Sequence, residues 1–76
     1  MNENFYRKML NFINSKFEGD VRSRMVQYLN SDLFRKELRS LMNNQRLMGE
    51  RLSLDFAGEC LLEAQATREE DEDIII

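Results

Sequence analysis

Histidine and proline are absent from this chain, cysteine occurs once and glycine three times. Each absence removes a class of chemistry. Without histidine there is no side chain whose ordinary pKa lets it shuttle protons near neutral pH. With a single cysteine as well, an ordinary zinc site lacks its ligands, and no internal disulfide can form. Gly19, Gly49 and Gly58 stand far apart, so there is no glycine-rich phosphate loop. No apolar run approaches the roughly 20 residues of a membrane span. The opening residues, with Arg7 and Lys8 among them, lack the apolar core of a signal peptide. A lone free thiol makes a reducing cytoplasm the expected compartment. Cys60 follows Glu59, and an adjacent carboxylate raises a thiol pKa rather than activating it. Glu59 and Glu63, four apart on a helix, could chelate a divalent ion, but such pairs more often form a solvated face. The expectation is a protein that is not an enzyme, with no cofactor, metal or small-molecule substrate.

What is present favours helix. Leu, Met, Arg, Glu and Lys are abundant, and no proline interrupts them. Seventy-six residues make one small domain, in which burial only just offsets chain entropy. Asn2 or Asn4 can cap a first helix over 4–17. On it Phe5, Tyr6, Met9, Leu10, Phe12, Ile13 and Phe17 share a face opposite Arg7, Lys8, Asn11, Asn14 and Ser15. Gly19 suits a left-handed helix end and Asp20 the cap of a second helix over 20–29, with Val21, Met25, Val26, Tyr28 and Leu29 apolar. Ser31 caps the longest seam, in which Phe34, Leu38, Leu41, Gln45, Met48 and Leu52 follow at steps of four, three, four, three and four.

Beyond Met48 two readings compete. Leu54, Ala57, Leu61 and Ala64 form a second stripe, but Leu52 and Leu54 are about half a turn apart. A break at Gly49 with recapping at Ser53 gives helices over 32–48 and 54–68. A continuous helix over 32–68 would instead leave a face needing a second chain. Gly58 either weakens the last helix or marks a close helix–helix approach. The expected fold is therefore an all-α bundle of three to four helices over residues 1–68, with a disordered acidic tail over 69–76. Its core should draw on Phe5, Met9, Ile13, Phe17, Met25, Leu29, Phe34, Leu38, Leu41, Met48, Leu52 and Leu61.

Charge divides the chain. Residues 1–51 hold ten Lys/Arg against six Asp/Glu, net +4, and residues 52–76 hold one against eight, net −7, which together give the formal charge of −3. Arg35, Lys36, Arg39, Asn43 and Arg46 fall on the outer face of the seam helix. Arg and Asn read guanine and adenine edges, and Lys or Arg contacts phosphates. With the short helix and two-residue link before it, this arrangement loosely resembles a helix-turn-helix, although the link is short and lacks the frequent glycine. Five consecutive acids, Glu69 to Asp73, precede Ile74, Ile75 and Ile76. Asp71 to Ile76 resembles the protein-docking tips of bacterial single-stranded-DNA-binding proteins. It lacks their terminal aromatic, and the rest of the chain does not suggest an OB fold. Such a segment can add a strand to a partner's sheet edge, lie across the basic face of its own protein, or simply solubilise.

The apolar stripes exceed what so short a chain can bury, which points to a homodimer or a larger protein partner. Gln45, polar within the seam, can set register across a helix pair. The expected function is a non-enzymatic protein–protein interaction module, a small regulator or inhibitor. It would bind through Leu41, Met42, Gln45, Met48, Ile74, Ile75 and Ile76. The competing expectation is nucleic-acid binding through Arg35, Lys36, Arg39, Asn43 and Arg46, with the acidic tail as autoinhibitor.

Overall fold

The computed structural model describes the backbone of residues 2–74 and the side chains of residues 2–68. Four helices follow in order: α1 (Glu3–Lys16), α2 (Gly19–Leu29), α3 (Asp32–Leu47) and α4 (Leu54–Ile74), with no strand among the described residues. Three of the four starts carry a side-chain cap. The Asn2 side chain accepts from the Asn4 N–H at 2.8 Å. The Ser31 hydroxyl accepts from the Phe34 N–H at 3.2 Å and donates to the Tyr28 carbonyl at 2.6 Å, so one side chain joins the end of α2 to the start of α3. Asp20, expected as a cap, lies instead in the first turn of α2. Glu18 holds the cap position without a side-chain bond, and Gly19 takes its left-handed φ of +61° at the head of α2.

The break after α3 is real. Gly49 has φ +77°, its N–H donates to the Arg46 carbonyl at 3.0 Å, and the Glu50 N–H donates to the Gln45 carbonyl at 2.9 Å. That crossed pair is a Schellman closure, which turns the last carbonyls inward and stops the helix. Ser53 then restarts it, accepting from the Phe56 N–H at 3.1 Å. The far end differs from expectation, since α4 extends to Ile74 rather than to 68. Of the tail expected to be disordered over 69–76, the backbone of 69–74 continues α4, whereas the side chains of 69–76 and the backbone of Ile75 and Ile76 lie outside the described residues.

α4 is the central element, packing against α1, α2 and α3, while α2 packs against α1 and α3. α1 and α3 meet through side chains: the Phe5 and Phe34 rings stack at 6.4 Å, and Tyr28 meets Phe34 edge-on at 5.3 Å. The core is Phe5, Met9, Ile13, Met25, Tyr28, Leu29, Phe34, Leu62 and Ala66, ringed by half-buried residues that include Phe17, Leu38 and Leu61. Three expected core members fall outside it. Leu41 and Leu52 are half-buried, and Met48 is 71% exposed because it sits at the C-cap of α3, past the ground α4 covers.

The α4 stripe is also displaced. Leu54 and Ala64 are exposed, whereas Ala57, Gly58, Leu62 and Ala66 are buried. At 100° per residue, the buried arc is rotated by roughly 90° from the expected one. Gly58 explains the rotation. A methyl group there would lie 2.7 Å from Met9 Sδ and 2.9 Å from Phe5 Cζ, so this glycine admits the Met9 and Phe5 side chains of α1 against α4.

Candidate functional site

The α3 seam is buried at its start and opens toward its end. Phe34 is fully buried, Leu38, Leu41, Met42 and Gln45 are half-buried, and Leu47 and Met48 are exposed. Where the seam begins to open, a cleft of about 300 Å³ lies between the start of α1, the middle of α3 and the start of α4. Its lining is Phe5, Leu38, Met42 and Leu54 with Asn2, Arg35 and Arg39. The cleft is therefore apolar on its floor and carries guanidinium groups from α3. A second depression follows along the same side of α3, lined by Met42, Arg46, Glu50, Arg51 and Leu52. Met42 is common to both, so they form one track running toward the α3–α4 connection.

This geometry sorts the expected residues differently from the sequence. Met42, expected at a protein interface, shares a cleft with Arg35 and Arg39, expected at a nucleic-acid interface. Lys36, Arg39 and Asn43 do share the outer face, where with Ser40 and Asn44 they line a shallow groove. Arg35 and Arg46 turn toward the apolar track instead. Among the described residues, Lys36, Arg39 and Arg46 form no ion pair, and Arg35 reaches only Asp32, at 3.9 Å. Leu41 and Gln45 are half-buried, and the Gln45 Oε1 is enclosed without a hydrogen-bond donor. Ile74 ends α4 with its side chain outside the described residues, as are Ile75 and Ile76 altogether.

Asn2, Phe5, Leu38 and Leu54 are the cleft residues that were not expected as site members. Leu54 carried a signal, since it opens the second apolar stripe, yet it is 41% exposed at the first turn of α4. Phe56, 54% exposed two residues on, adds to the apolar surface bracketing the connection. Nothing in a one-dimensional pattern brings residue 5 beside residue 54.

Elsewhere the polar groups serve the fold. Lys8 pairs with Asp55 at 3.1 Å, Lys16 with Glu63 at 3.0 Å and Arg68 with Glu37 at 3.6 Å, which ties α4 to α1 and α3. All are exposed or partly so and contribute little each. Glu63 is thus held by a lysine, and among the described residues no group of three or more Cys, Asp or Glu is placed to hold a metal ion. Burial, and then the Glu63 and Glu59 carboxylates, raise the Cys60 pKa. The Tyr28 hydroxyl is buried without a well-formed hydrogen bond. Burial first, then the nearby Glu37 carboxylate, push its pKa far above the ordinary 10.0. No helix among the described residues is long and apolar enough to cross a membrane. Comparison with protein-family models, curated protein sequences and solved structures finds no match to this chain.

Proposed function

We propose that the chain is a non-enzymatic interaction module, a small helical regulator or inhibitor that self-associates or docks on a larger protein. The observation that carries this reading is the apolar track beside α3. Its floor is formed by Phe5, Leu38, Met42 and Leu54, and Leu47, Met48 and Phe56 stand exposed on either side of the α3–α4 connection. Large apolar side chains gathered at one end of a small domain mark a surface that another chain covers. The flanking arginines favour a partner that presents acids beside its apolar groups. The compartment proposed is the cytoplasm.

The test is the mass of the chain in solution by light scattering, for wild type and for Met42→Asp, with circular dichroism confirming that both are folded. A dimeric wild type and a monomeric variant support the reading. A wild type that is monomeric at every concentration removes self-association and leaves docking on a larger partner. A second reading, nucleic-acid binding, is favoured by Lys36, Arg39 and Asn43 sharing an outer groove whose cations have no acidic partner among the described residues. It predicts tight oligonucleotide binding that weakens steeply with salt and is lost in Arg39→Glu. Oligonucleotide binding that is absent at low salt excludes it.

A further inference from the structure

We infer that the occupant of the cleft is the acidic, isoleucine-bearing segment of a second copy of this chain, residues 69–76. This rests on the reading of the cleft as an interaction surface and names its partner. The first argument is complementarity. The cleft offers an apolar floor of Phe5, Leu38, Met42 and Leu54 edged by Arg35 and Arg39. The segment offers the complementary chemistry, with five acids, Glu69 to Asp73, directly followed by Ile74, Ile75 and Ile76. Isoleucines on the floor would place carboxylates beside the Arg35 and Arg39 guanidinium groups, of which, among the described residues, Arg35 reaches only Asp32 at 3.9 Å and Arg39 forms no ion pair. The cleft's volume, about 300 Å³, lies at the lower end of the roughly 300–1,000 Å³ typical of ligand pockets. That suits a few aliphatic side chains rather than a whole helix.

The second argument is distance, and it decides between one chain and two. Leu54 lines the cleft and opens α4, which runs to Ile74. At 1.5 Å per residue, Ile74 lies about 30 Å from Leu54 along the helix axis. Ile75 and Ile76 extend that by at most about 7 Å in any direction. A chain therefore cannot seat these isoleucines in its own cleft. Two copies with antiparallel α4 helices can each seat the other's, and the two reciprocal contacts close a two-fold dimer rather than an open chain.

The test uses full-length chains. One variant, Arg35→Glu/Arg39→Glu, reverses the cleft's charge. The other, Ile74→Ser/Ile75→Ser/Ile76→Ser, removes the apolar part of the segment. Light scattering at low salt should give a dimer for wild type, a monomer for each variant alone, and, when the two are mixed, a weaker dimer held by the one contact that remains intact. A fluorescent peptide of residues 69–76 should bind the isoleucine variant, whose cleft is vacant. That binding should weaken roughly tenfold or more when Arg35→Glu/Arg39→Glu is added, and likewise when salt is raised. The inference is overturned if the isoleucine variant dimerises as wild type does, or if peptide binding ignores the arginine reversals. Met42→Asp separates the two levels. If it abolishes a dimer that the isoleucine variant retains, the cleft stands as an interface and the segment is not its occupant. If neither variant changes the mass and no peptide binds, self-association through the cleft falls together with the inference.

Discussion

Gly58 faces α1 at a distance that leaves no room for a methyl group: a Cβ there would sit 2.7 Å from Met9 Sδ and 2.9 Å from Phe5 Cζ. Replacing a mid-helix glycine by alanine ordinarily gains about 1 kcal/mol. Forcing a carbon into a packed contact costs about 1–3 kcal/mol. Gly58→Ala is therefore expected to destabilise by up to about 2 kcal/mol in urea unfolding, the reverse of its helix propensity. Tyr28 gives a second prediction at this scale. Its folded-state pKa is raised above the ordinary 10.0, so above about pH 10 the unfolded chain loses the phenolic proton first. The contribution is fully present below that pH and is lost as pH rises through the folded value. The raised thiol pKa of Cys60 acts with the same sign, starting near its ordinary 9.0. Stability should thus fall above pH 9–10, and Tyr28→Phe should flatten that decline. At pH 7 the substitution should cost less than about 1 kcal/mol, because the buried hydroxyl has no well-formed hydrogen bond to lose.

α4 shows how a helix becomes hard to read when three others cover it. Its buried positions, Ala57, Gly58, Leu62 and Ala66, are mostly small, since close approach to α1, α2 and α3 leaves little space. A pattern search weighted by large apolar side chains is drawn instead to Leu54 and Leu61. α1 buries large side chains instead, and its stripe of Phe5, Met9 and Ile13 is plain in the sequence and buried in the fold. This contrast gives a paired prediction. Leu62→Ala removes a fully buried side chain and should cost about 2–5 kcal/mol, whereas Met48→Ala, at 71% exposure, should stay within about 0.5 kcal/mol. Chemical denaturation of the two variants side by side checks both. The ends of α3 were legible for a different reason. Ser31, Gly49 and Ser53 act on backbone groups within a few residues, and that chemistry does not depend on how the helices pack.

For the whole molecule, self-association links stability to concentration. If two chains share the surface around Met42, the unfolding midpoint should rise with chain concentration, and Met42→Asp should abolish that dependence. Thermal melts over a hundredfold range of concentration measure it, and a midpoint fixed throughout would remove the dimer. Caps and periodicities are local, so the helical class and most of the aromatic and aliphatic core were legible in the residues alone, while the break between α3 and α4 was one of two open readings until the Gly49 closure decided it. The sequence also separated a basic body from an acidic segment. Only the tertiary structure decided which arc of α4 is buried, that Met48 stands in solvent, and that Phe5 and Leu54 join Met42, Arg35 and Arg39 around one cleft. Those facts follow from how four helices share one interior, with α4 touching all of the others. A position's place on its own helix shows which way it points but not whether a neighbour is there to cover it.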